Sequence, residues 1–372
     1  MFDNFEIPSE LTPTDPRFGS GPSLVPMEYV ERLLKAGPHY MGTSHRKSPI
    51  KNVVKEIQEG LTKYFNLPSD YLVVLGNGGA TLLFDMIGLG IVEKKATHFT
   101  CGEFSEKWFK NSKSIPWIET TQVSVAFGKG INGEAVSGSD LIAVTLNETS
   151  TGVQLSKLPV VDSNTILAVD ATSGGGQCPC DVSKTDIYFF SPQKVFASDG
   201  GLWVAIMSPK ARARAAKIAA DKNRYVPDIM SWTQAISNSE LNQTYNTPAL
   251  STLFFLNEQI KFMNTIGYAE VQALAQKKAN HLYGWAESKP YLSCYIEEKE
   301  FRSVAVATID VDSKVNVDDV IKFLEKKKVV YGIDGYRKLG RNQFRIAMFH
   351  NITLDNLERL TKLLSKMIES KL

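Results

Sequence analysis

The segment Ile166–Gly201 constrains this chain more than any other. An apolar run, Ile166-Leu167-Ala168-Val169, ends in Asp170. A stretch of small residues and glycines follows. A second apolar run, Ile187-Tyr188-Phe189-Phe190, then opens into Ser191-Pro192-Gln193-Lys194 and Ser198-Asp199-Gly200-Gly201. Runs of this length and this β-branched or aromatic content read as buried strands. Sheets of that kind bind ligands at the carboxyl ends of their strands. Asp170 and Lys194 are thus each delivered to such a place.

An acid at one strand end and a lysine just past another are what pyridoxal phosphate (PLP) needs. The lysine forms a Schiff base, and the carboxylate keeps the pyridine nitrogen protonated so that the ring can accept electrons. Asp and Lys are also common at strand ends, and Lys194 alone would fit a solvated loop. The decision therefore rests on other segments.

The rhythm of the chain predicts an α/β fold. After a Pro-, Ser- and Thr-rich arm over residues 1–20, a helix starts near Pro26, with Met27, Val30, Leu33 and Leu34 on one face, and ends at Gly37-Pro38. Another runs from Pro49 through Phe65, burying Ile50, Val53, Val54, Ile57, Leu61, Tyr64 and Phe65. Strands are expected at Tyr71–Leu75, near His98 and Ile118, and at Leu141–Leu146, Ile166–Asp170, Ile187–Phe190 and Leu202–Met207. Their alternation with helices implies a mostly parallel, helix-covered sheet. A long helical stretch from Pro248 breaks near Gly267. Beyond it the pattern is a smaller α+β unit, with helices at Ala269–Ala286, Val317–Lys327 and Leu354–Leu372 and strands at Val304–Ile309 and Phe344–Phe349. The expected division is a large domain over residues 21–265 and a small one over 266–372.

The formal net charge of +2 argues against a general nucleic-acid or membrane-surface role, which would need a basic excess. Cys101, Cys178, Cys180 and Cys294 are few and scattered, and Cys178-Pro179-Cys180 is too closely spaced for a zinc or redox motif. No metal site is expected, and all four read as reduced residues of a cytosolic protein. The N-terminus lacks the basic start and apolar core of a signal peptide, and no apolar run approaches a membrane span.

Several segments converge on the same strand edge. Gly76-Asn77-Gly78-Gly79-Ala80-Thr81 falls between a strand and a helix, where backbone N–H groups and the helix dipole attract an anion by roughly 0.3–1 kcal/mol. A phosphate could rest on Ala80 and Thr81. A plain tight turn fits too, whereas a nucleotide fingerprint would need a further glycine and a P-loop lysine. Phe104 follows the next strand and could stack on a pyridine ring or simply pack. Asn147-Glu148-Thr149-Ser150 ends a third strand, either as a polar turn or as donors to the ring's phenolic oxygen.

Ser20-Gly21-Pro22, Ser44-His45-Arg46, Gly78-Gly79-Ala80-Thr81, Asn147-Glu148-Thr149, Gln193-Lys194, Asn246-Thr247-Pro248 and the arginine segment ending in Arg345 occur in order over nearly the whole chain. This set resembles the phosphoserine aminotransferases, class V enzymes of PLP fold-type I. The resemblance implies Lys194 as Schiff-base lysine and Asp170 as partner of the ring nitrogen. It places Phe104 on the ring face, Thr149 on the phenolic oxygen, and Ala80, Thr81 and Gln193 on the cofactor phosphate. Asn246 and Thr247 would reach that phosphate from a neighbouring subunit, so a homodimer with shared sites is expected. Ser20, His45, Arg46, Arg337 and Arg345 fall on substrate positions, with Arg345 on the α-carboxylate and His45 and Arg46 on the distal anion. The implied reaction is amino transfer between L-glutamate and 3-phosphohydroxypyruvate in serine biosynthesis. Arginine suits such doubly anionic substrates because its planar fork binds carboxylate and phosphate in pairs of hydrogen bonds.

Two departures bear on substrate rather than chemistry. The family's arginine segment carries a histidine and a Gly-Gly pair. Here Tyr336-Arg337-Lys338-Leu339-Gly340-Arg341-Asn342-Gln343-Phe344-Arg345 is longer and has no histidine, which leaves Arg337, Lys338 and Arg341 as alternatives for the substrate phosphate. Thr81 stands where the family commonly has arginine. The rival readings are an aminotransferase for small unphosphorylated acids, of serine–pyruvate or alanine–glyoxylate type, a cysteine desulfurase, and a catalytically silent PLP-fold protein.

Overall fold

In the computed structural model, which describes residues 2, 4–133 and 137–372, helices and strands fall largely where the apolar rhythm puts them. The first two helices are α1 (Met27–Tyr40) and α2 (Ser48–Tyr64). Then come β1 (Leu72–Gly78), α3 (Ala80–Gly90), β2 (Lys95–Thr100), α4 (Glu103–Lys113), β3 (Glu119–Ser124) and β4 (Leu141–Thr145). A two-residue ribbon, β5 (Asn147–Glu148) with β6 (Val153–Gln154), precedes β7 (Ile166–Asp170), β8 (Ile187–Phe190) and β9 (Gly201–Met207). Helices α5 (Pro209–Ala219), α6 (Trp232–Glu240) and α7 (Leu250–Ile266) complete this part.

The seven-stranded sheet has the order β1-β9-β8-β7-β4-β2-β3. Strand β9 runs antiparallel to both neighbours, and the remaining pairs are parallel. The carboxyl ends of β1, β2, β4, β7 and β8 therefore share one edge. Strands β4, β7 and β8 are buried at every residue, as expected for a sheet covered on both faces.

Beyond Gly267, α8 (Tyr268–Glu287), β10 (Leu292–Cys294), β11 (Val306–Val311), α9 (Val317–Lys326), β12 (Gln343–Ala347) and α10 (Leu354–Glu369) form the smaller α+β part around a three-stranded antiparallel sheet, β10-β11-β12. The expected boundary at residue 265 lies next to the α7–α8 junction. No helix among the described residues is long and apolar enough to cross a membrane.

Three local readings need correction. Helix α1 continues through Pro38 to Tyr40, with the proline in its last turn. The face of α1 turned to the core carries Tyr29 and Tyr40, whose hydroxyls reach Gln259 Oε1 and the Leu250 carbonyl, each at 2.9 Å. Met27, Val30 and Leu34, which share a face of this helix, are exposed. Second, Gly76, Asn77 and Gly78 belong to β1 rather than to a loop. A Cβ on Gly76 would come within 2.1 Å of the Trp203 ring, so this glycine serves a close approach between strands. Third, the N-terminal arm is docked. Phe2 packs on Phe323, and the Thr14 N–H donates to Asn356 Oδ1 at 2.8 Å.

Candidate active site

Each strand of that shared edge contributes to one cavity of about 270 Å³. Gly79, Ala80 and Thr81 enter it from the start of α3, Phe104 from the first turn of α4, and Asn147 and Thr149 from just after β4. Asp170, Thr172 and Ser173 come from the end of β7, and Ser191, Gln193 and Lys194 from the end of β8. Gly21 and Pro22 close the cavity from the chain's beginning, where a Cβ on Gly21 would meet Lys194 Cε at 2.5 Å.

Lys194 is buried, and its Nζ donates to Thr149 Oγ1 at 3.0 Å and lies 5.3 Å from the centre of the Phe104 ring. Burial disfavours its ammonium form and, against the attraction of Asp170, pulls its pKa down to about 8. The Asp170 carboxylate accepts from the Thr172 N–H at 2.9 Å and from its hydroxyl at 2.5 Å. Burial outweighs those donors and pushes Asp170 up to about 6. The site thus holds an amine partly neutral near neutral pH and an acid that still ionises there.

The walls suit PLP. At one end lie the start of α3, the Ser191 hydroxyl that accepts from the Ala80 N–H at 2.6 Å, and Gln193, whose Oε1 is buried without a partner among the described residues. These are uncharged polar groups at a helix N-terminus, the setting that a phosphate takes. In the middle Asp170 and Phe104 line the same small cavity, as a planar cationic ring would require. Asn147 donates to Ser173 Oγ at 2.7 Å, and its Oδ1 has no partner among the described residues. Buried polar atoms without partners are uncommon in folded proteins, and those of Gln193 and Asn147 belong to cavity-lining residues.

The remaining residues read from the sequence lie outside that cavity. Arg345, half-buried on β12, donates through Nη1 to the Thr149 carbonyl at 3.3 Å and faces the Tyr336 ring, while its Nε has no partner among the described residues. Ser20 is buried directly before Gly21. His45 Nδ1 is 3.0 Å from Thr247 Oγ1, and the Thr247 carbonyl accepts from Asn77 at 2.9 Å. Arg46, Asn246 and Thr247 are exposed beside this group. Of the three open cations, Arg341 is held in two hydrogen bonds by Asp310, at 3.0 and 2.6 Å, over the Tyr295 ring. Lys338 is paired with Glu103. Arg337 is exposed on a short 3-10 turn and is the cation of the three without such a partner among the described residues.

Sequence reasoning missed Gly21, Pro22, Phe84, Thr172, Ser173 and Ser191 as lining residues. Ser191 and Thr172 were within reach, since each follows a strand end already singled out. Tyr336, whose ring centre is 6.1 Å from that of Phe104, carried no signal because the contact joins segments more than 200 residues apart.

Comparison with known proteins finds relatives over nearly the whole chain. The family described as Aminotransferase class-V matches residues 131–335. The chain is 43% identical over 364 residues to a phosphoserine aminotransferase of Corynebacterium glutamicum, covering 97% of this chain and 96% of the relative. It is 44% identical over 360 residues to one from Rhodococcus jostii, covering 96% of each. The crystal structure of a phosphoserine aminotransferase from Cytophaga hutchinsonii superposes with a TM-score of 0.86 at 25% identity, over 95% of this chain and 99% of that one. The chain belongs to the phosphoserine aminotransferase family of PLP-dependent class V transaminases.

Proposed function

We propose that this protein transfers the amino group of L-glutamate to 3-phosphohydroxypyruvate, giving O-phospho-L-serine and 2-oxoglutarate, the transamination step of serine biosynthesis. The observation that carries this reading is the placement of Lys194 in one cavity with Asp170, Thr149 and Phe104, with Arg345 hydrogen-bonded to Thr149 at its side. When bound there, PLP supplies an electron sink that stabilises negative charge on the substrate Cα.

In this reading, Lys194 holds the cofactor between turnovers. Its freed Nζ would take the proton from the substrate Cα and later return one, as general base and then acid. A pKa near 8 suits both steps, because neither protonation state is scarce at neutral pH. Thr149 holds Nζ in place before substrate arrives. With the cofactor bound, Asp170 would keep the ring nitrogen protonated, Phe104 would cover the ring, and Ala80, Thr81 and Gln193 would hold the phosphate. Arg345, partly desolvated and with no partner for Nε among the described residues, binds the α-carboxylate common to all substrates. Hydrogen bonds to charged groups contribute about 1.5–3 kcal/mol each.

The distal anion falls to His45 and Arg46, and we propose that they act from the neighbouring subunit of a homodimer together with Asn246 and Thr247. Supporting this, His45 and Thr247 are bonded to each other yet neither lines its own chain's cavity. The exposed apolar residues Met27, Val30, Leu34 and Met41 lead along α1 toward the same patch and would be covered by a second copy. A large domain over residues 21–265 with a small domain over 266–372, and a cytosolic location for a protein with free cysteines, complete the reading.

The test is a half-reaction screen. Purified holoenzyme is mixed with single amino acids, and loss of its visible absorption is followed. Phosphoserine and glutamate should discharge it at concentrations far below those that alanine needs. Discharge by alanine or serine at comparable concentrations would favour the rival aminotransferase for unphosphorylated acids.

A further inference from the structure

The carboxylate of Glu148 is fully buried beside the active site, and none of its five hydrogen-bond donors among the described residues carries a charge. Oε2 accepts from the Ser105 N–H and hydroxyl, both at 2.9 Å. Oε1 accepts from the Phe104 N–H at 3.3 Å, the Ser150 N–H at 3.2 Å and the Ser150 hydroxyl at 2.7 Å. Burying a carboxylate without a cation is costly, and only a full set of donors offsets it. Helices usually cap their first N–H groups with a nearby Ser, Thr, Asp or Asn, which needs no such burial. Here the cap position of α4 is Gly102, which has no side chain to offer. A Cβ on Gly102 would approach Glu148 Cγ to 2.4 Å, so the glycine makes room for a carboxylate arriving from another strand.

The two segments that Glu148 joins are those that touch Lys194. On one side is the first turn of α4 with Phe104, and on the other Thr149, whose hydroxyl receives Lys194 Nζ. We propose that Glu148 is a positioning residue for amino transfer, fixing the Phe104 ring and Thr149 relative to each other and so to Lys194. Small errors in such an arrangement are expensive, since about 1 Å of misplacement can cost on the order of a hundredfold in rate. The inference rests on Phe104 covering the cofactor, as proposed above.

The experiment uses the full-length holoenzyme. Glu148→Gln keeps the size but turns an NH₂ group toward a backbone N–H on whichever side it faces. The expected result is an altered visible circular dichroism of the bound cofactor and a roughly tenfold lower kcat, with KM for the amino donor changed much less. In a Phe104→Ala background the same substitution should cost little more, because the two act through one contact. If Phe104→Ala lowers kcat but Glu148→Gln adds its full effect on top, or leaves dichroism and kcat unchanged, the positioning role is wrong. If Phe104→Ala itself has no effect on either readout, the covering role of Phe104 fails instead, and the inference goes with it. Should Glu148→Gln not fold, Ser150→Ala removes one donor and leaves the carboxylate. It should shift the dichroism in a folded protein, and an unchanged signal and kcat would overturn the proposal.

Discussion

Lys194 and Arg345 meet on a single residue, Thr149, whose hydroxyl accepts from Lys194 Nζ at 3.0 Å while its carbonyl accepts from Arg345 Nη1 at 3.3 Å. The group proposed for proton transfer and the group proposed for the substrate carboxylate are therefore referenced to the same backbone. Thr149→Ala should loosen the first and spare the second. Turnover should fall by about tenfold, the loss of one hydrogen bond to a charged group, while KM for glutamate changes little. An equal rise in KM would show that Arg345 also depends on the side chain.

Lys194→Ala should abolish turnover and the visible absorption of lysine-linked cofactor. Cofactor held through its phosphate should remain extractable without reduction by borohydride. Mass spectrometry after borohydride treatment checks this, since a reduced adduct on any other lysine would refute the assignment.

The depressed pKa of Lys194 sets the pH at which the cofactor attaches. Lowering a lysine pKa makes the nucleophilic neutral amine available at lower pH. The attachment rate to the cofactor-free full-length chain should climb through neutral pH and level off above about 8. A rate still rising steeply at pH 10 would mean an unperturbed lysine.

Asp170 opposes folding and serves the cofactor. Its pKa is raised from 3.8 to about 6, so the folded state binds its proton more tightly than the unfolded chain does. This stability is full below the unfolded pKa and is lost as pH rises through about 6. At roughly 1.4 kcal/mol per tenfold, the loss is on the order of 3 kcal/mol at neutral pH. Asp170→Asn should therefore raise the urea midpoint of the cofactor-free protein at pH 7.5 but not near pH 4. The same substitution should lower turnover by at least about tenfold, because an amide cannot keep the ring nitrogen charged.

Arg46→Ala should raise KM for phosphoserine and glutamate far more than for alanine, whereas Arg345→Ala should weaken all three alike. Among the three open cations, Arg337→Ala should raise KM for phosphorylated substrates. Arg341→Ala should leave KM alone and cost about 0–1 kcal/mol of stability, since its exposed pair with Asp310 is worth little. Steady-state kinetics with the three donors separates these outcomes.

Much of the molecule is legible in the order of its residues, for a local reason. The runs Ile166–Asp170 and Ile187–Phe190 are strands because apolar, β-branched and aromatic residues fit a sheet buried on both faces, and a strand ends where polarity returns. Asp170, Lys194, Thr149, Phe104 and Ala80 could thus be placed at strand ends, and the parallel sheet brought those ends together. What periodicity could not reveal was which apolar stripe meets a partner. Val30 and Leu34 have the spacing of a core face, yet α1 turns Tyr29 and Tyr40 inward because their hydroxyls find acceptors on the α7 segment. Nor could it tell that Gly76 serves a neighbouring tryptophan, that Arg341 is committed to Asp310 while Arg337 has no such pair among the described residues, or that Glu148 caps a helix begun more than 40 residues earlier. Strand and helix follow from neighbours along the chain. The partner of a charge, or of a buried polar atom, is set by segments far apart in sequence, and only the packed tertiary structure brings them within hydrogen-bonding distance.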